Sequence, residues 1–283
     1  MGSCLEKWSK DLTIDSLLSS DEYRQIPLLS IEQAIQPLLS LLPNLSIYLQ
    51  MVKDQCHHPI DGLTSDQSAA IMLYSMRWQP YDQCLYTILN TSLETLTLTN
   101  VQPWLYYLKL LFTSLSHLPS HDSIIYRGSQ CNLSEQYPID ERIIWWDLPL
   151  CTSSMDYLQS EQCTGGRELK TIFHIQCQTA KNIQKYCYQS SSSKDLFVFL
   201  PGTTFQVLEC SQQENTNISL IQLREIHASC LLPNINHRRS ILDTPISNNV
   251  FQRYNKIQDV ILCTYLFSLD FVHCFDRHRR LMN

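Results

Sequence analysis

The chain holds 283 residues, with 21 Lys and Arg against 27 Asp and Glu, a net charge of −6. That acidic balance offers no general field for nucleic acid or anionic lipid. A 44% hydrophobic content with 17% charged residues excludes disorder throughout and supplies a sizeable core. The six glycines, Gly2, Gly62, Gly128, Gly165, Gly166 and Gly202, cannot be assembled into a GxGxxG fingerprint or a Walker phosphate loop.

The opening residues, Met1 to Lys10, lack the uninterrupted apolar stretch of a secretory signal, so a cytoplasmic location is expected. Gly2 followed by Cys4 is a weak lipidation pattern, because Glu6 stands where myristoylation calls for Ser or Thr. The longest apolar run, 260–275, is interrupted by Asp270 and His273 and is too short and polar for a membrane span. The twelve cysteines form no CxxC. Neither Cys56-His57-His58 nor His273-Cys274 has the paired spacing of a zinc site, so reduced, buried thiols and no metal are expected.

Residues 1–120 read as helical. Ser30 with Gln33 forms a capping box opening a segment 31–42, which Pro37 kinks or splits and Pro43 stops. Thr64 with Gln67 forms a second box, opening a helix on which Ala70, Leu73, Tyr74 and Arg77 recur at helical spacing. Pro80 resets the chain into a segment 84–90. Pro103 suits a first helical position, and Trp104, Leu105, Leu108, Leu111, Phe112 and Leu115 mark one apolar face ended by Pro119.

From residue 121 the texture changes to short runs rich in β-branched and aromatic residues: 124–127, 143–146, 171–176, 196–200, 205–208 and 218–226. Strands so short and so many predict an α+β protein, a helical region packed on a two-sheet, mixed or antiparallel β core. The expected boundaries are 1–120 helical, 121–228 β-rich and 229–283 a tail of unassigned role.

Seven strings then stand in order across roughly residues 63–225. They are LTSDQSAAIMLY from Leu63, WLYYLKLL from Trp104, IYRG from Ile125 and WWDLPLCTSS from Trp145. LKTIFHI from Leu169, FLPGTTF from Phe199 and LIQLRE from Leu220 complete the set. In that order they resemble the arginine-type mono-ADP-ribosyltransferases, the branch with an R-S-E site. The resemblance implies a cleft that binds NAD, with NADP as an alternative, as a consumed substrate. It further implies cleavage of the bond to nicotinamide and transfer of ADP-ribose to a protein side chain, commonly arginine. No metal, nucleic acid or membrane span enters that chemistry.

By the same resemblance, Arg127 would grip the phosphates with its guanidinium fork. Tyr126, Gly128, Thr152 and Phe173 would line the cofactor. The signature serine maps to Cys151, whose thiol is a weaker donor, and Ser153 is the alternative because residues two apart share a strand face. A carboxylate must sit where positive charge grows at the anomeric carbon. Counting back from Pro201-Gly202 without a gap puts Leu196 at the catalytic glutamate and Lys194 at its partner. Asp195 is the nearby acid, and a β-bulge between Leu196 and Val198 would turn it to the required face. A catalytically impaired NAD-binding module, with Leu196 as the reason, is the second reading. A third makes Cys151 a nucleophile with His174 or His227 as base.

Overall fold

A computed structural model describes residues 21–56, 61–78, 80–94, 98–160, 168–188, 195–213 and 216–226. The expectations placed on Lys194, His227, Cys4, His57, His58 and the segment 229–283 lie outside the described residues. None of the described helices is long and apolar enough to cross a membrane.

The helical layer begins with α1 (Asp21–Gln25) and α2 (Ile31–Ile35), and Ser30 closes its capping box with Gln33. Pro37 splits the predicted 31–42 helix: α2 gives way to a 3₁₀ turn at Gln36–Leu38. Next come α3 (Leu45–Lys53) and α4 (Ser65–Ser75), the latter opened by the Thr64–Gln67 box. Its residues Gln67 through Ser75 are all buried, so the single apolar face expected from the sequence is replaced by burial all round. Tyr107 Oη donates to the Ala70 carbonyl at 2.9 Å, and Asp66 accepts from the Ile31 amide at 3.1 Å; both lock α4 between its neighbours. The layer ends with α5 (Leu85–Glu94), α6 (Leu98–Val101) and α7 (Leu105–His117), with Pro103 in a 3₁₀ turn just before α7.

The strands are β1 (Ser120–Ser129), β2 (Arg142–Trp145), β3 (Leu150–Thr152), β4 (Thr171–Asn182), β5 (Leu196–Val198), β6 (Thr203–Gln212) and β7 (Ser219–Glu225). A short helix, α8 (Met155–Gln159), follows β3. The expected pair of sheets is corrected to one seven-stranded sheet, ordered β1-β3-β5-β4-β7-β6-β2, with β1 also bonded to β4. That extra pairing closes β1, β3, β5 and β4 into an antiparallel ring, and β7, β6 and β2 extend it.

The reason for one sheet is the length of β4. On one side β1 pairs with it from Thr171 to Lys181; β7 pairs in parallel with its first half, Thr171–Gln176, while its end at Lys181 and Asn182 pairs with β5. Between them the Glu225 carboxylate accepts from the Gln178 amide at 2.6 Å and the Thr179 amide at 2.9 Å, and from the Thr179 hydroxyl. These amides would otherwise be left without acceptors where the strand changes partners.

The two sheet faces bury different cores. Leu148, Leu150, Ile172, Leu196 and Val198 join the helical layer. Cys151, Trp145, Phe173, Phe197, Phe199 and Phe205 form an aromatic core inside the curl of the sheet.

Candidate active site

Strand alternation decides which side chains meet. Tyr126 pairs with Thr152, and Thr152 with Leu196, so these three share the face toward the helices. Arg127, Cys151 and Phe197, each one residue along, face the aromatic core. Ser153 and Asp195 continue that second face just past the ends of the β3–β5 ladder, and Ser153 Oγ donates to Asp195 Oδ2 at 3.4 Å. Arg127, Cys151, Ser153 and Asp195 therefore project to one face of β1, β3 and β5. No register shift interrupts β5, so the expected bulge is absent and is not needed: Asp195 already lies on the Arg127 face. Leu196, at the ungapped glutamate position, is 3% exposed against the helical core.

Asp195 is exposed at the rim, and a second donor holds it. Asn182 Nδ2 donates to Asp195 Oδ1 at 3.1 Å, while Asn182 Oδ1 accepts from the Gln184 amide at 3.0 Å.

Arg127 sits deeper. Its Nη2 donates to Asp147 Oδ2 at 2.9 Å, and the two side chains are 11% and 10% exposed. The guanidinium carbon lies 4.8 Å from the Trp145 ring centroid, a cation–π contact. Burial works against the charged guanidinium, but Asp147, and after it Tyr86, Tyr137 and Cys151, hold it above its ordinary value. Arg127 stays charged. Trp145 is in turn fixed by its indole N–H donating to Tyr137 Oη at 3.0 Å and by ring contacts with Phe173, Phe199 and Phe205.

Asp147 belongs to the connection from β2 to β3, and helix residues clamp that connection. Asn90 Oδ1 accepts from the Leu148 amide at 2.7 Å, Tyr74 Oη donates to the Leu148 carbonyl, and Tyr86 Oη accepts from the Leu150 amide at 3.5 Å. Asp147, Asn90 and Asn182 are absent from the sequence-derived site. The string WWDLPLCTSS contains Asp147, but a lone acid gives no sign of pairing with an arginine twenty residues earlier.

The remaining expected residues divide between the two faces of the sheet. Phe173 is buried between Tyr137 and Trp145, on the Arg127 side. Tyr126 and Thr152 face the helices, where Thr152 Oγ1 accepts from the Ser154 amide at 3.2 Å. Gly128 permits close packing: a Cβ there would stand 2.9 Å from a Leu169 methyl. Cys151 is buried in the aromatic core, whereas His174 points to the other face and meets the Tyr126 ring edge-on at 5.4 Å. The structure does not bring that cysteine and histidine together as nucleophile and base.

The chain was compared with solved structures. The type III effector XopAI from Xanthomonas axonopodis pv. citri superposes with a TM-score of 0.52 at 15% identity, covering 78% of this chain and 96% of that one. The chain shares that effector's fold. Lower TM-scores are found for the ADP-ribosyltransferase HopU1 of Pseudomonas syringae pv. tomato DC3000 and for exoenzyme S of Pseudomonas aeruginosa. HopU1 gives 0.48 at 15% identity, over 63% of this chain and 87% of its own. Exoenzyme S, solved with human 14-3-3 protein beta and carba-NAD, gives 0.47 at 12%, over 75% and 96%. No protein-family model and no curated protein sequence matches the chain.

Proposed function

We propose that the chain transfers ADP-ribose from NAD to a protein side chain and releases nicotinamide. The observation carrying this reading is that Arg127, Cys151, Ser153 and Asp195 share one face of β1, β3 and β5, with an exposed carboxylate at its margin. The seven ordered strings support the same reading.

Each side chain then has a task. Arg127, kept cationic, offers the phosphates the guanidinium edge that Asp147 leaves over. Ser153 braces the ribose side and shares its hydroxyl with the acid, and the Cys151 thiol lines the floor. Asp195 faces the anomeric carbon and offsets the positive charge that grows as the glycosidic bond stretches. Bound NAD supplies the labile bond to nicotinamide, and the site invokes no metal. Arginine is the acceptor suggested by resemblance, and NADP is an alternative donor.

The test is nicotinamide release by the purified protein, with and without a small arginine analogue. Release that rises with the analogue is expected. Asp195→Asn should abolish release while NAD still raises thermal stability; full-rate release by that variant would show that the acid is misassigned.

One observation favours a second reading, an NAD-binding module without turnover. Arg127 is only 11% exposed and already spends one edge on Asp147. Stabilisation by NAD with no nicotinamide released from the folded wild type selects that reading.

A further inference from the structure

We infer that Asn182 is a positioning residue for the carboxylate of Asp195, a role that rests on the function proposed above. Asn182 stands at the last position of β4 and pairs with Phe197 of β5. The Ile183 amide extends that ladder by donating to the Leu196 carbonyl at 2.8 Å. The two bonds together fix the β4 terminus beside the start of β5, where Asp195 lies.

The amide of Asn182 has one orientation. Its oxygen accepts from the Gln184 amide at 3.0 Å, inside the turn that leaves β4. Its nitrogen is thereby directed at Asp195 Oδ1, 3.1 Å away. Ser153 Oγ reaches the other carboxylate oxygen, Oδ2, at 3.4 Å. Asp195 is thus held between donors from two strands, β3 through Ser153 and β4 through Asn182, and neither donor belongs to its own strand.

An exposed aspartate with free χ angles would sample several directions, and charge stabilisation works only when the carboxylate is oriented before the reaction begins. The grip of Asn182 limits rotation about χ2 and leaves the Arg127 end of the row untouched. Its effect falls on the chemical step rather than on NAD binding.

A variant separates this role from a structural one. Asn182→Asp keeps an oxygen to accept from the Gln184 amide, so the turn is preserved. It replaces the donor facing Asp195 with a second carboxylate. For this variant and for Asn182→Ala, kcat for nicotinamide release should fall between about tenfold and a hundredfold. KM for NAD, and the Kd from calorimetry, should stay within about twofold, because a group acting only on the chemical step leaves ground-state binding unchanged. The thermal midpoint of Asn182→Asp should match wild type.

A readout independent of turnover is the side-chain amide resonance of Asn182. Its hydrogen-bonded proton should move upfield in Asp195→Ala. Wild-type kcat in Asn182→Asp, or an unmoved amide resonance, overturns the positioning role while leaving the proposed function standing. A folded wild type that releases no nicotinamide overturns the proposed function, and the positioning role falls with it.

Discussion

At Arg127 the cation is held by a carboxylate and an aromatic ring, and both are supplied by the chain just before β3. Removing one partner of a buried pair leaves the other charge uncompensated, typically at a cost of about 3–5 kcal/mol. Asp147→Ala should therefore lower the denaturant-unfolding free energy by about that amount. Asp147→Asn, which retains an acceptor oxygen, should lose less. Equal losses for the two variants would mean that the charge, which both remove, carries the whole effect and the acceptor oxygen adds nothing. A second residue-scale expectation concerns pH. Burial pushes the Cys187 thiol from its ordinary 9.0 up to about 12. A thiol raised on folding contributes its full stabilisation below the unfolded value, and that contribution fades as pH climbs toward the folded one. Stability should decline from about pH 9 upward. Buried tyrosines such as Tyr74 and Tyr107 are raised in the same direction. The measurement is therefore the difference in slope between wild type and Cys187→Ala in unfolding experiments at pH 8, 9 and 10. Identical slopes would exclude Cys187 as a contributor.

Individual elements were legible in the sequence where their determinants are local. Both capping boxes, the break at Pro37 and the entry at Pro103 need only three or four neighbouring residues, and all four appear in the fold. β3 shows no β-rich run of its own, because three residues carry no periodicity and its partners β1 and β5 are remote; only the resemblance places Cys151 and Ser153 on a strand. The bend in β4 was equally hidden, since the carboxylate that satisfies it lies 46 and 47 residues away. Glu225→Gln keeps the shape but removes the charge that strengthens three hydrogen bonds. It should cost about 1–3 kcal/mol in unfolding free energy, with amide exchange accelerated at Gln178 and Thr179. Unchanged protection at those two amides would mean that the bend does not depend on Glu225.

For the whole molecule, the order of motifs pointed to a helical layer followed by a sheet, and to a row beginning at Arg127. Which side chains share that row depended on register between strands distant in sequence. An ungapped count selected Leu196, while alternation along β5 sends Leu196 to the helical core and Asp195 to the Arg127 face. The couplings through Asn90, Tyr74 and Tyr86 to the β2–β3 connection were also beyond a sequence reading, because each joins residues about sixty or seventy positions apart. They make the helical layer part of the site's scaffold.

The closed ring of strands has one more result, which concerns crowded chains rather than catalysis. Among the described strands every member has neighbours on both sides except β2, which is bonded to β6 alone. The described strand with one edge wholly unpaired, open to strand addition by another polypeptide, is therefore only four residues long, Arg142–Trp145. Ile144, 46% exposed, makes that margin adhesive, and the charge of Arg142 repels a like neighbour. Among the described strands, the one bonded on a single side is thus short and guarded against self-association.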